Sequence, residues 1–358
     1  MSAHRTELVE LTRRLVSIPS HDDETAAGDA IERWLREETD ATVTRDEHGN
    51  VIARRGGGAT SLALVGHHDV VAPDDSQVEK AAGDGRLYGR GTADMKGSLA
   101  AAMLAVRDAD PAGELVFASF VGEERGGVGA RAAIDDGFAP DYAVVGEGST
   151  NYAGADQTDV VVAHKGRRGS TLTARGTSAH ASEPETGENA VYRACDAVDV
   201  VRDLDAPATT VLGERLEGSL AATEIDGGSA WNVIPERCTV TVDERTVPGE
   251  RAPLERAETV PGVEWTVEQD LPPMACDDAA FADAALAAAD AVQSATPERV
   301  TKPHATDAGW LAAAGTTCLV VGAAEPGEAH TAGESVAVDA LERCHRLYLD
   351  LAERWPAA

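Results

Sequence analysis

Six acid or histidine positions in this chain each follow an apolar, strand-like run. His67 and Asp69 follow Leu62-Ala63-Leu64-Val65, and Glu123 and Glu124 follow Leu115 to Val121. Glu147 follows Tyr142 to Val145, and His330 lies in the loop after Cys318 to Val321. In open α/β sheets ligands bind beyond the carboxyl ends of the strands. Two imidazoles and several carboxylates converging there suit a hard-to-borderline divalent ion, zinc first. A single strand-end Glu or His is more often a cap or a solvated loop residue. Six at successive strand ends, two of them within His-x-Asp, are poorly explained that way. Residues i and i+2 of an extended segment face the same side, so Asp69 can accept the ring N–H of His67 while His68 points away in a structural role. Adjacent Glu123 and Glu124 point apart, so one is expected to ligate metal and the other to address a water as general base.

A fifth carboxylate, Asp94, lies in Gly89-Arg90-Gly91-Thr92-Ala93-Asp94-Met95-Lys96-Gly97, just before an alanine-rich helical run from Ser98 to Asp108. This is no phosphate loop, because no Gly-Lys-Ser/Thr follows the glycines, which argues against a nucleotide-binding enzyme. The elements that must position these residues follow from periodicity. Leu8, Leu11, Leu15 and Ile18 recur at helical spacing up to Pro19, and a second helix is expected from Thr25 to Glu38. Strands are expected at Ala41 to Arg45 and Val51 to Arg55, and a short helix at Val128 to Asp136. The alternation predicts an α/β fold with a mixed, mostly parallel sheet flanked by helices. From Lys165 the texture changes to strands at Arg168–Arg175, Leu220–Ile225, Cys238–Glu244 and Val263–Glu268, with helices at Glu188–Leu204 and Glu250–Val260. That is the ferredoxin-like β-α-β-β-α-β order. Residues 165–271 are therefore read as an inserted α+β domain, and 1–164 with 272–358 as the metal-binding domain. Helices at Asp278–Asp290 and from Val338 complete the latter.

Composition narrows the function classes. With 31 basic and 62 acidic residues the formal charge is −31, which disfavours nucleic-acid and anionic-membrane partners. A 43% hydrophobic fraction with clear periodicity argues against disorder. Only four lysines occur (Lys80, Lys96, Lys165, Lys302), and such acidic, lysine-poor composition fits a high-salt cytoplasm. The five cysteines are scattered and lack a Cys-x-x-Cys pair, as expected for reduced thiols. No apolar signal core and no run near the ~20 residues of a membrane span occur. A soluble, cytoplasmic protein is expected.

The motifs Gly66-His67-His68-Asp69-Val70-Val71, Tyr88 to Gly97, Gly122-Glu123-Glu124, Val145-Gly146-Glu147, Asn232-Val233-Ile234-Pro235 and His330 carry a resemblance over essentially the whole chain. It resembles the dinuclear zinc amidohydrolases that include succinyl-diaminopimelate desuccinylase, acetylornithine deacetylase, aminoacylase and glutamate carboxypeptidase. The resemblance implies two divalent ions, zinc with cobalt or manganese as substitutes. His67 and Glu147 would hold one, Glu124 and His330 the other, and Asp94 would bridge them before a cis peptide to Met95. Glu123 matches the catalytic base and Asp69 the residue that orients His67. The inserted segment matches a lid and homodimerisation domain, in which His180 of Gly176-Thr177-Ser178-Ala179-His180 reaches the partner's site. Lys165 to Ser170, with Arg167 and Arg168, most resembles the desuccinylase branch, and Asn232 and Arg245 match positions that hold substrate carboxylate. The expected reaction is hydrolysis of the amide of a small N-acyl amino acid, N-succinyl-L,L-diaminopimelate first, with acetylornithine deacetylase or a dipeptidase as runner-up. A non-catalytic binding protein is disfavoured, because Asp94 and Glu123 are both present. Two departures stand out. Ser76 to Asp84 is short and polar where the family usually has a Trp and a Pro-Phe pair, and Gly309 replaces the desuccinylase arginine.

Overall fold

The run Ser61–His67 is buried at all of its positions, the pattern of a strand covered on both faces. It lies in the middle of a nine-stranded sheet in the computed structural model, which describes residues 3–73, 80–81 and 84–355. The strands are β1 (Thr42–Arg45), β2 (Val51–Gly56), β3 (Ser61–His67), β4 (Glu114–Phe120), β5 (Tyr142–Val145), β6 (Val160–His164), β7 (Met274–Ala275), β8 (Arg299–Lys302) and β9 (Thr317–Val320). Their order is β1-β2-β4-β3-β5-β9-β6-β7, with β8 beside β6. The central four, β4, β3, β5 and β9, run parallel to one another, so their carboxyl ends share one edge. β1, β2 and the β9–β6 pairing are antiparallel.

Seven helices accompany the sheet: α1 (Ala3–Val16), α2 (Thr25–Glu38), α3 (Gly97–Asp108), α4 (Val128–Asp135), α5 (Ala279–Asp290), α6 (Asp307–Ala313) and α7 (Val338–Arg354). Side-chain alternation along the strands sorts the core. Ala63, Val65, Val116, Ala118, Ala143 and Val145 pack with Ala130 and Ala133 of α4 and Ala308 and Leu311 of α6. The intervening Leu62, Leu64, Phe117 and Val144 are equally buried and face the opposite side, where α1, α3 and α7 pack together. Burying each such large side chain contributes about 1.5–3 kcal/mol.

The chain divides into two units, Met1–Ala163 with Met274–Lys302 and Thr306–Ala358, and His164–Pro273 with Pro303–Ala305. The second unit holds an antiparallel sheet with strands in the order Ser219–Gly227, Arg237–Thr246, Gly166–Arg175, Val263–Leu271. Helix Ala190–Arg202 is capped by Asn189, whose side chain accepts from Val191 N at 2.9 Å, and packs through Ala190, Ala194, Ala197 and Val201. The second expected helix, Glu250–Val260, is instead a 3₁₀ segment, Leu254–Thr259. Pro253 and Pro261 bracket it, and residues before proline disfavour the helical region. A hairpin (Ala208–Val211 with Glu214–Glu217) and a small sheet of Lys80–Ala81, Arg86–Tyr88 and Ser335–Ala337 have no counterpart among the expected elements. The stretch Ser76 to Asp84 lies largely outside the described residues.

Candidate active site

Because β3, β4, β5 and β9 end on one edge, the residues that follow them are brought together. His67 closes β3 and is buried. Its Nε2 lies 3.1 Å from Asp94 Oδ1 and 3.5 Å from Glu147 Oε1. Its Nδ1 lies 3.3 Å from Asp69 Oδ1 and 3.0 Å from the Asp69 carbonyl. His68 turns the other way, to Ser119 Oγ at 2.7 Å, and burial pushes its pKa down to about 3. His330 has a left-handed backbone (φ 61°), uncommon for a residue with a Cβ. Its Nε2 lies 2.8 Å from Glu124 Oε1 and 3.1 Å from Asp94 Oδ2. Asp94 thus gives one oxygen to each imidazole.

Asp69 has a second task that spacing alone did not suggest. Its two oxygens accept the backbone N–H groups of Glu123 and Glu124, both at 3.1 Å, so one carboxylate orients the His67 ring and the acidic turn together. That turn, a 3₁₀ segment from Glu123 to Arg125, begins after Gly122 at φ 62°, a conformation that favours glycine. Gly91 (φ 86°) serves the other acidic loop, where a Cβ would meet Val70 Cγ1 at 2.8 Å. Glu334 gathers this loop: its Oε1 accepts from Gly91 N at 2.8 Å, Ala93 N at 3.0 Å and Asp94 N at 3.2 Å, and its Oε2 pairs with Arg90. The Asp94–Met95 peptide is cis.

The electrostatics are those of a cation site. Burial alone would lower the His67 pKa, but Asp69, Asp94 and Glu147 raise it well above the usual value. Hydrogen bonds to Asp94 and Glu124 raise His330 to about 10, against burial. Burial works to raise Asp94, yet His330 and His67 hold it well below the carboxylate range. Glu123 goes the opposite way: burial, then the nearby carboxylates of Asp307, Glu147 and Asp94, push it well above that range despite His67. Without metal, the two protonated imidazoles offset part of this negative charge. Two sets of donor atoms, each within 4.8 Å of one another, are His67/Glu123/Glu147 and Asp94/Glu124/His330. Imidazole nitrogens and carboxylate oxygens in this number fit divalent ions such as zinc. A third set, His4, Asp108 and His345, is of another kind. His4 Nε2 and His345 Nδ1 meet at 3.0 Å, a contact that needs a proton between the rings and pins α1 to α7.

Residues 63–354 match the model of "Peptidase family M20/M25/M40". The chain belongs to this family. Similar family proteins include succinyl-diaminopimelate desuccinylase of Acidiphilium cryptum, 30% identical over 92% of this chain and 90% of that one. Acetylornithine deacetylase of Myxococcus xanthus is 32% identical over 83% of this chain and 82% of that one. The match to the probable succinyl-diaminopimelate desuccinylase of Staphylococcus epidermidis is 31% identical but spans only 57% of this chain and 58% of that one. Among solved structures, aminopeptidase PepT from Bacillus cereus superposes with a TM-score of 0.82 over 98% of both chains, at 22% identity. That likeness concerns the fold.

The remaining residues singled out by the family resemblance lie in the second unit. His180 is exposed, paired in a short ladder with Val233, with its Nδ1 2.7 Å from Ser182 Oγ. Asn232 is exposed beside it, its carbonyl accepting from Ala181 N at 2.9 Å. Arg167 and Arg245 face each other on adjacent strands and share Asp243, at 2.6 and 2.8 Å. Arg168, expected at substrate, is turned inward. It is buried, pairs with Glu244, donates to the Ala252 carbonyl at 2.7 Å and stacks over Trp265. Period-2 alternation explains this, since neighbours on one strand face opposite sides.

Three residues of the first unit went unread in the sequence: Glu334, Lys302 and Asp307. Lys302 Nζ lies 3.1 Å from Glu147 Oε2. Asp307, at the start of α6, is 2% exposed with neither oxygen hydrogen-bonded, and burial raises it to about 7. The scarcity of lysine was a signal for Lys302 alone, and among the described residues both Lys96 and Lys302 are buried.

Proposed function

We propose that this chain is a dinuclear zinc amidohydrolase that cleaves the amide of an N-acyl amino acid, with N-succinyl-L,L-diaminopimelate as the leading substrate. The observation that carries the reading is the Asp94 carboxylate, with one oxygen 3.1 Å from the Nε2 of each of two histidines, beside a proton-avid Glu123. His67 and Glu147 would hold one ion, Glu124 and His330 the other, and Asp94 both; cobalt or manganese would serve in place of zinc. Such ions, when bound, supply electrophilic activation of an amide carbonyl and acidify a water.

The protein's own groups do the rest. Glu123 takes the proton of the attacking water and delivers it to the departing amine nitrogen, a role that its place beside His67 and Glu147 allows. Asp69 fixes the His67 ring and the backbone of Glu123, so ligand and base keep register. Arg167 and Arg245, about one-third exposed and sharing a single carboxylate, retain net positive charge for a substrate carboxylate. Asn232 supports the same end of the substrate. His180 stabilises the developing oxyanion from the partner subunit of a homodimer. No helix among the described residues is long and apolar enough to cross a membrane, and we place the enzyme in the cytoplasm.

Gly309, where a desuccinylase has arginine, favours a second reading, acetylornithine deacetylase or a dipeptidase, whose substrates lack a distal acyl carboxylate. Rates with N-succinyl-diaminopimelate, N-acetylornithine and simple dipeptides in the presence of zinc decide between them. The desuccinylase reading requires the first substrate to lead; a tenfold advantage in kcat/KM for either rival overturns it.

A further inference from the structure

Lys302 is one of two buried lysines among the described residues. It is the last residue of β8 and only 6% exposed. Its ammonium donates to Glu147 Oε2 at 3.1 Å and to the Gly148 carbonyl at 3.1 Å. The other oxygen of Glu147, Oε1, is the one that faces His67 Nε2, at 3.5 Å. The carboxylate is therefore split between two tasks. The backbone bond to Gly148, the residue after Glu147, ties the ammonium to the same turn, so Lys302 fixes both the side chain and its local main chain. Among the described residues the Glu124/His330 group has no such lysine or arginine: Glu124 Oε1 is met by the His330 ring at 2.8 Å.

We infer that Lys302 is a positioning residue that reserves Glu147 as a one-oxygen donor to the ion beside His67 and makes the two metal positions unequal. The inference rests on the dinuclear reading above and goes beyond it. A buried carboxylate with one oxygen clamped enters coordination with its rotamer already fixed. Partners of metal ligands typically govern affinity by 10–100-fold. The same clamp keeps Glu147 from closing both oxygens on one ion.

The test is zinc binding, measured by equilibrium dialysis and metal analysis on the full-length protein. Wild type should bind about two Zn²⁺. Lys302→Met keeps the length and packing of the stem while removing the ammonium. It should hold one ion with wild-type affinity and the other roughly 10–100-fold more weakly. Lys302→Ala leaves room for an added alkylamine, and propylammonium at millimolar concentration should restore the second ion, which a loss of packing alone would not allow. If Lys302→Met binds both ions as wild type does, or more tightly, the inference is wrong while the dinuclear reading stands. If both ions weaken equally, or propylammonium restores nothing, Lys302 acts through general stability and the inference also fails. A wild-type protein that binds no Zn²⁺ sinks the underlying reading instead.

Discussion

Glu123 and Glu124 are neighbours with opposite fates, and residue-level chemistry separates them. Glu124 Oε1 is 2.8 Å from His330 Nε2, a ligand's position, whereas Glu123 is the carboxyl that burial makes reluctant to ionise. Geometry alone would admit Glu123 as a third donor beside His67 and Glu147. With Glu123 as the base and not a ligand, Glu123→Ala should leave zinc content unchanged while kcat falls by a factor on the order of 10² to 10⁴, the usual weight of general acid–base catalysis. Loss of one zinc in that variant would make Glu123 a ligand. The imidazoles offer a second prediction. In the zinc-free protein His330 has its pKa raised from 6.5 to about 10. A raised pKa contributes stability that is full below pH 6.5 and disappears as the pH climbs to about 10. The melting temperature of zinc-free protein should fall across that window, while the zinc-loaded protein, whose His330 is already deprotonated, should be nearly flat there. Zinc addition at pH 8 should release protons, detectable with an indicator dye, and release from His330 should vanish above its pKa. Zinc uptake without proton release at pH 8 would remove His330 from the ligand set.

At the scale of elements, the site depends on loops being held by groups remote in sequence. Glu334 accepts three backbone N–H groups of the Gly91–Asp94 loop and pairs with Arg90. Glu334→Ala should lower stability by about 3–5 kcal/mol, because it leaves Arg90 buried without its partner. Zinc binding should weaken as well, since Asp94 loses the support of its own N–H; thermal unfolding and dialysis on one sample give both numbers. An unshifted melting temperature would show that the loop holds itself. The same contrast explains what the sequence disclosed. Helix Thr25–Glu38 was legible to the residue, because a 14-residue amphipathic pattern repeats its signal several times. The strand ends before Glu124 and Glu147, and the one that carries His67, were legible because apolar runs announce buried parallel strands; His330 lies in a loop ten residues beyond Val320. Strands of two or three residues, such as Lys80–Ala81 and Ser335–Ala337, carry too few alternations to stand out. Glu334, Lys302 and the double duty of Asp69 depend on contacts between segments far apart in the chain, which no local pattern encodes. Of the adjacent Arg167 and Arg168, strand alternation turns Arg168 to the interior, a phase that the resemblance to a motif does not carry.

For the whole molecule, the sharpest question is whether a site borrows from a second copy. His180 sits exposed in a unit separate from every residue of the acidic cluster. If it acts across a dimer, His180→Ala and Glu123→Ala, each nearly inactive, should complement when refolded together. Random pairing of a symmetric dimer restores up to about a quarter of wild-type activity, since half the dimers then hold one complete site of two. A mixture that stays inactive places His180 within its own chain, and an unimpaired His180→Ala enzyme removes it from the reaction. The interrupted layout of the first unit also bears on how the molecule is made. β5 ends at Val145, but its parallel neighbour β9 begins only at Thr317. The second unit is nearly continuous, from His164 to Pro273. A ribosome therefore releases every strand of the antiparallel sheet before it supplies the strand that completes the centre of the parallel one. Closing so long a loop is entropically slow. Until it closes, β5 waits with one apolar edge open, in a chain whose large negative charge keeps such edges apart. The metal-binding edge is thus among the last parts of the protein that synthesis allows to exist.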